Sequence, residues 1–226
     1  MLQSLLDAIG FGLCHQLPER SFFGGGVRVP VCSRDVGIYA GFAVAFLVLA
    51  LVHRDRPRKV PPTWVSAILA FGVALMAADG ISSYAGLRYT TNEIRLMTGL
   101  MTGFALAAWV MPLVNSELWR APGQGRVLGR PRDVVLYLAT LCASYAGIWY
   151  VAPLLGVAYP IGVVGAIIVT LVAVNLVIVS LLPSFGGRSA TLVDAWPALL
   201  LALALSGAQL AASSLLKAWL IGLTAA

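Results

Sequence analysis

Charged residues are scarce in this sequence of 226 residues: they make up 11% of it, and only nine residues are acidic. Soluble globular domains contain roughly 25% charged residues, so this chain has too little charge to cover a surface in water. The scarcity excludes a soluble cytosolic enzyme, a nucleic-acid-binding module and a disordered tail. Hydrophobic residues make up 60%, and the net charge of +6 fits the bias of Lys and Arg toward the cytoplasmic side of a bilayer. The composition indicates a multi-pass membrane protein.

Period-two alternation is also absent, and the apolar runs are long, which favours helices over a β-barrel. A helix that crosses a bilayer needs about 20 predominantly apolar residues. Six windows meet this requirement: 35–52, 63–81, 94–114, 134–152, 161–182 and 196–216. We therefore predict an all-α bundle of about six transmembrane helices. We divide the chain into an extracytoplasmic segment with an amphipathic helix and a Gly-rich loop (1–34), three helices that carry a polar site (35–114), a basic cytoplasmic loop (115–133) and three scaffold helices (134–226).

Two connections are rich in basic residues. Four occur within 53–59, and four more are Arg120, Arg126, Arg130 and Arg132, whereas 153–160 has no charge. The positive-inside rule places both basic loops in the cytoplasm. We therefore predict a multi-pass protein of the cell (inner) membrane with both termini and the 82–93 loop extracytoplasmic. The first residues lack a basic region, so we expect no removable signal peptide.

The polar residues of the first half converge in this topology. They form four segments, 14–22, 32–39, 79–80 and 90–95, and each reaches the same predicted outer face. Polar residues are costly inside a bilayer, so those retained point to a functional site. The sequence therefore predicts a polar site at the extracytoplasmic end of the first three spans.

These segments also resemble the signature of a prokaryotic membrane family, domain of unknown function 2085. The resemblance covers roughly residues 10–105 and implies an integral membrane protein, without a settled activity. Family members often carry a further cysteine in a Cys-x-Arg-Cys-Thr-Gly stretch, where this chain has Asp35. A carboxylate can bind a metal in place of a thiolate but cannot form a disulfide, so this departure weighs against a cysteine-pair redox role at that position.

Several residues of the polar segments are of metal-ligand type. They are Cys14, His15, Cys32, Asp35 and Asp79. Zinc takes Cys, His and carboxylate ligands, although this spacing matches no standard zinc motif. Cys14 and Cys32 have two alternatives: a disulfide, which persists on an oxidising side of the membrane, or free or catalytic thiols. Cys142 is expected to be an inert thiol in the core.

Arginine is unexpectedly frequent at the predicted outer face. The residues are Arg20, Arg28, Arg34, Arg88 and Arg95. Because guanidinium groups suit phosphate and carboxylate, we expect Arg20, Arg34, Arg88, Asn92 and Arg95 to bind an anionic headgroup. Asp79 is expected to reach water or to pair with Arg95. Thr90 and Glu93 have the spacing of a capping box, with Thr90 as the N-cap.

Three functions are compatible with these features. The first is a metal-dependent hydrolase or transferase acting on an anionic lipid-linked or amphipathic substrate, with His15, Asp79 or Asp35 as bases or zinc ligands. The second is a non-enzymatic membrane subunit with a structural Cys14–Cys32 disulfide, and the third is a small transporter. Membrane lipids are the expected partners, without nucleic acid, and an oligomer or larger complex is compatible. The Gly99–Gly103 spacing predicts close helix packing, and Asn175 and Gln209 are expected to hydrogen-bond between helices.

Overall fold

The fold is an all-α bundle, as predicted. The computed structural model describes residues 1–224, and within them six helices are long and apolar enough to cross a membrane. A short helix, α1 (Leu2–Phe11), precedes them. The six are α2 (Ser33–Val52), α3 (Thr63–Tyr84), α4 (Asn92–Leu118), α5 (Pro131–Ala146), α6 (Ala158–Ser180) and α7 (Trp196–Thr224). After α5 the chain continues helically through a π turn at Gly147–Val151 and a 3-10 turn at Ala152–Leu155.

The helices alternate in direction and so create two distinct ends. The polar end comprises the N-terminal segment (1–32), the α3–α4 loop (85–91) and the last turns of α7. The basic end comprises the loops 53–62 and 119–130 and the connection 181–195. The predicted grouping of the N-terminal segment with the 82–93 loop agrees with this arrangement, and the last described turn of α7 lies at the same end, while the final two residues fall outside the described part of the chain. The side of the membrane that each end faces stays a prediction.

Four glycines bring α2 and α4 into close contact. A Cβ added at Gly99 would lie 2.1 Å from the carbonyl oxygen of Arg34, and one at Gly103 would lie 2.3 Å from that of Ile38. Gly37 is equally confined, because its added Cβ would lie 2.5 Å from the carbonyl oxygen of Leu96. Small residues at this spacing allow helix backbones to approach. The packing predicted for Gly99 and Gly103 is confirmed, and Gly37 and Gly41 supply the matching face on α2.

Burial is uneven among the spanning helices. In α4, 67% of the most apolar window is buried inside the protein, whereas in the span that contains α5 the share is 6%. α4 is therefore the central helix and α5 is peripheral. Cys142 lies on α5 and is exposed, so the expectation of a core thiol was wrong because this helix has only one packed side.

Polar contacts join the outer helices to the bundle. The Tyr137 hydroxyl donates to the Phe104 carbonyl at 2.6 Å and so links α5 to α4. Asn175 of α6 and Gln209 of α7 exchange hydrogen bonds of 2.9 and 3.1 Å. The interhelical role predicted for these two amides is confirmed.

The N-terminal segment is fastened to the polar end by side-chain contacts. A hairpin pairs β1 (Phe23–Gly24) with β2 (Val27–Arg28), and its turn residues Gly25 and Gly26 have φ of 57° and 76°. Lys217 of α7 donates to the carbonyl oxygens of Phe11 at 2.7 Å and Cys14 at 2.6 Å. The segment thus lies over the bundle and carries Cys14 with it.

The basic end contains a second small sheet. There β3 (Pro57–Lys59) pairs in parallel with β4 (Gly123–Arg126). α4 continues to Leu118, which is beyond the predicted limit of residue 114. The predicted basic loop is therefore shorter and partly ordered by backbone pairing with the first basic loop.

The α2–α4 contact yields the first testable prediction. We expect Gly99→Ala to lower the free energy of unfolding by about 1–3 kcal/mol, the usual cost of overpacking, because the new Cβ would strike the Arg34 backbone. Thermal unfolding in detergent measures the effect. Gly165→Ala on α6 is the control, since nothing lies within 4 Å of its added Cβ. Equal melting temperatures for the two variants would contradict the close contact.

Candidate functional site

Three candidate ligand atoms meet at the polar end. Cys14 comes from the loop after α1, Cys32 is the N-cap of α2, and Asp35 lies in the first turn of α2. The two sulfurs and a carboxylate oxygen of Asp35 all lie within 4.8 Å of one another. The Cys32 amide donates to the Cys14 sulfur at 3.3 Å, and the Cys32 thiol donates to Asp35 Oδ2 at 3.1 Å. Both thiols are free.

The two thiols differ in acidity because they share a hydrogen bond. The hydrogen bond between the two side chains lowers the pKa of Cys14. The same bond, together with burial, raises the pKa of Cys32. Cys14 is therefore the sulfur that ionises first. A thiolate is the form that binds metals and attacks electrophiles, so Cys14 is the sulfur of the pair that is better suited to such chemistry.

Asp79 forms a separate ion-pair cluster. Its carboxylate accepts hydrogen bonds from Arg34 and Arg88, and from the Thr90 hydroxyl at 3.1 Å. The side chain is 1% exposed, so this is a buried carboxylate fully occupied by donors. The predicted pairing of Asp79 with Arg95 was wrong, because Arg34 on α2 and Arg88 in the loop are nearer. Asp79 is bound by these donors and does not belong to the group formed by Cys14, Cys32 and Asp35.

Arg95 is buried near the start of α4. Its Nη1 donates to Asn92 Oδ1 at 3.3 Å, and within residues 1–224 no carboxylate lies within ion-pair distance of it. Asn92 in turn donates to the Glu19 carbonyl at 3.1 Å. The helix cap is Thr91, whose hydroxyl accepts from the Ile94 amide at 3.4 Å. The prediction of Thr90 as N-cap was wrong by one residue, because Thr90 is turned toward Asp79.

A small cavity of about 20 Å³ lies beside the thiols. A volume of this size holds about one water molecule or a single ion. The lining residues are Cys14, His15, Leu17, Arg20, Cys32, Arg34, Tyr84 and Arg95. Arg34 Nε is buried, and no hydrogen-bond partner for it occurs in the described part of the chain. The cavity thus brings together His15, Cys32 and Arg95 from three of the four predicted polar segments, whereas Asp79 from the fourth does not line it.

The remaining predicted residues lie around this cavity in different ways. His15 is exposed on its rim, with its ring centroid 6.5 Å from that of Tyr84, and is not among the three grouped ligand atoms of the described residues. The Arg20 guanidinium lies over the same ring at 5.9 Å. Arg88 is exposed and is committed to Asp79. Arg28, the fifth arginine, pairs with Asp7 at 3.0 Å instead.

Sequence reasoning missed two residues that shape the site. Tyr84 forms one wall of the cavity and contacts both His15 and Arg20, but an aromatic at the end of an apolar helix gives no distinct signal. Lys217 holds the Cys14 carbonyl. It is the single charged residue in α7, and an isolated charge in a membrane-spanning helix indicates a polar partner. That signal was available in the sequence.

The fold, with its six helices long and apolar enough to cross a membrane, defines a multi-pass helical membrane protein. Residues 14–109 match the family model described as "Predicted membrane protein (DUF2085)". An uncharacterized protein of Methanocaldococcus jannaschii is 36% identical over 108 residues, which cover 48% of this chain and 67% of that protein. An uncharacterized protein of Methanothermobacter thermautotrophicus is 35% identical over 98 residues, 42% of this chain and 81% of that protein. The chain belongs to this family, domain of unknown function 2085.

The matched region contains most of the site residues of the polar end. It begins at Cys14 and ends within α4, so it includes the thiols, the Asp79 cluster, Arg95 and all four packing glycines. The helices α5, α6 and α7 lie outside it. No solved structure gives a significant match to the chain.

The Asp79 cluster supports a second testable prediction. We expect Asp79→Asn to lower the free energy of unfolding by about 3–5 kcal/mol, because it leaves the buried guanidinium of Arg34 without its counterion. Asp7→Asn makes the same chemical change in a half-exposed pair with Arg28, and we expect it to cost about 1 kcal/mol or less. Thermal unfolding of both variants in one detergent provides the comparison. A similar small shift for both would show that Asp79 is not a buried anchor.

Proposed function

We propose that the polar end of this membrane protein binds a divalent metal ion through Cys14, Cys32 and Asp35. We further propose that the arginines beside this ion hold an anionic group of an amphipathic substrate. The observation that carries the proposal is the grouping of three ligand atoms within 4.8 Å. They come from two separate segments of chain, so local sequence alone does not explain why they meet.

The chemistry of the three residues fits zinc. Zinc binds thiolate sulfur at about 2.3 Å and carboxylate oxygen at about 2.0–2.2 Å in tetrahedral sites. Ligand atoms in such a site lie about 3.5–3.8 Å apart, which is compatible with the observed limit of 4.8 Å. Three protein ligands leave a fourth position free, and the cavity of about 20 Å³ beside the sulfurs has room for one water molecule there.

The charges around the group support the same assignment. Two thiolates and a carboxylate carry three negative charges, and a divalent ion leaves one of them uncompensated. Arg95 lines the adjoining cavity, and in residues 1–224 no carboxylate pairs with it. Burying an unpaired guanidinium is costly, so a negatively charged metal group beside Arg95 would stabilise both.

The same arginines favour an anionic ligand. Arg20 and Arg95 line the cavity without a carboxylate partner in the described residues, and the Nε of Arg34 is unbonded there. Guanidinium donors bind phosphate and carboxylate strongly. The cavity is too small for such a group as it stands, so binding requires the Tyr84 or His15 side chain at its rim to move. Both are exposed at the edge of the bundle.

A disulfide between Cys14 and Cys32 is the second candidate. Their sulfurs lie within 4.8 Å of each other, and a bridge would close a loop of about 19 residues, which stabilises a fold by about 3 kcal/mol. This bridge would make the protein a structural subunit, with Lys217 and the bridge both fastening the N-terminal segment. It would remove both thiolates from metal binding, so the two proposals exclude each other.

Metal analysis of purified protein separates these two proposals. We expect about one zinc per chain, and we expect Cys14→Ser and Cys32→Ser each to weaken zinc binding at least about tenfold, the loss seen even for outer partners of metal ligands. Asp35→Asn should weaken zinc binding similarly, whereas Asp35→Cys should retain it because a thiolate is also a zinc ligand. Cys142→Ser, which removes the exposed thiol of α5, is the matched control.

Two results would contradict the metal site. One is a mass spectrum without reductant in which Cys14 and Cys32 are joined in the isolated protein. The other is metal content that is unchanged in Cys14→Ser and Cys32→Ser. The first result would establish a structural disulfide in place of the metal site.

The anion proposal is tested separately with two probes. Inorganic phosphate and dihexanoyl phosphatidic acid share a phosphate group, and only the second has acyl chains. We expect the lipid to raise the melting temperature, and we expect Arg95→Gln to weaken its binding about tenfold or more, because a charged hydrogen bond contributes about 1.5–3 kcal/mol. Arg58→Gln, an exposed arginine at the basic end, is the control.

Each outcome of this experiment has a meaning for the site. An effect of both probes would identify the shared phosphate as the ligand, and an effect of the lipid alone would identify a headgroup with its chains. If neither probe raises the melting temperature, or if Arg95→Gln responds as Arg58→Gln does, the anion site is excluded.

A further inference from the structure

A second and much larger cavity, of about 710 Å³, lies toward the basic end. This volume falls within the roughly 300–1,000 Å³ typical of small-molecule sites. It is enclosed by α2, α4, α6 and α7, and its inner wall includes Met111, Leu118 and Leu176, which are all buried. Neither the thiols nor the Asp79 cluster contributes to it.

The side of this cavity opens toward the lipid phase. Ile168 on α6 and Leu200 and Leu203 on α7 line it and are exposed. A ligand could therefore enter from the bilayer past these exposed residues without passing through water. Apolar walls with a lateral opening suit a hydrocarbon chain.

The depth of the cavity matches one leaflet. On α6 its lining runs from residue 168 to residue 176, a rise of about 12 Å at 1.5 Å per residue. Half of a bilayer's hydrocarbon core measures about 15 Å. A lining of this length, with apolar walls, suits the acyl chain of a lipid in that leaflet.

The mouth of the cavity at the basic end carries positive charge. Arg54 is exposed there and forms no ion pair within residues 1–224. Arg56 is already engaged, because its guanidinium lies 3.6 Å from the Trp119 ring centroid and its Nη1 donates to the Ala190 carbonyl at 3.0 Å. Burial lowers the pKa of His53, and its Nε2 accepts a hydrogen bond from the Leu128 amide at 3.3 Å. Arg54 is thus the cation available to a ligand.

From these features we propose that the cavity holds an acyl chain of an anionic membrane lipid, with the phosphate of its headgroup bound by Arg54. The bound lipid fills the space between α2 and α7 at the basic end. The proposal does not depend on the metal or anion site at the polar end, because the two sites share no lining residue.

Native mass spectrometry of the full chain, released from detergent, tests this proposal. The probes are dioleoyl phosphatidylglycerol and dioleoyl phosphatidylcholine, which have identical chains and differ in headgroup charge. We expect the anionic lipid to bind about tenfold more tightly, and we expect Arg54→Gln to remove that preference, as the loss of one charged hydrogen bond predicts. Arg58→Gln changes an exposed arginine in the same loop that does not line the cavity, and it should keep the preference.

A second pair of variants tests the chain itself. Ala50 lines the cavity and is exposed, so Ala50→Phe fills space without displacing packed core atoms. We expect it to weaken binding of both lipids at least fivefold. Ala67→Phe makes the same change on an exposed position of α3 outside the cavity and should have no effect. Equal binding of the two lipids, or equal behaviour of Ala50→Phe and Ala67→Phe, would overturn the proposal.

Discussion

The close contact between α2 and α4 is the constraint on which the rest of the structure depends. Four glycines let the two backbones meet, and an added Cβ at Gly99 would lie 2.1 Å from the Arg34 carbonyl. In a bilayer the lipid is as apolar as the helix surfaces, so such close packing, and not hydrophobic burial, drives association. The contact sets Arg34 on α2 and Arg95 on α4 at the same small cavity. The α2–α4 contact therefore determines how the residues of the polar end are arranged.

The buried Asp79 carboxylate is the counterion that Arg34 requires because of this contact. Arg34 is placed between helices, where an unpaired guanidinium would be costly. Asp79 reaches it from α3 and also binds Arg88 and Thr90 from the α3–α4 loop. One acid therefore joins α2, α3 and the loop that precedes α4. Arg95 lacks such an acid in the described residues, and this difference separates a structural cluster from a candidate ligand site.

The fold was predictable from the sequence because hydropathy, loop charge and the Gly99–Gly103 spacing act over many residues. Topology predicted that His15, Cys32, Asp79 and Arg95 meet, and all of these except Asp79 line the small cavity. Individual partners were not predictable: Asp79 pairs with Arg34 and not Arg95, because the choice depends on helix rotation that hydropathy does not determine. The large cavity near Arg54 was not predictable from a sequence pattern either. It arises where four apolar helices diverge, and an apolar lining residue has the same composition as a packed one.

Both candidate sites include residues of α2 and of α4. α2 begins at the thiols, and its last turns line the large cavity, while α4 begins near Arg95 and ends beside Trp119. The glycine contact lies between the two sites and fixes how these helices cross. A ligand that binds only the folded protein stabilises it by mass action. Occupancy at either end would therefore stabilise the same α2–α4 pair. The two effects would add, because coupling between sites requires that one ligand change the affinity for the other.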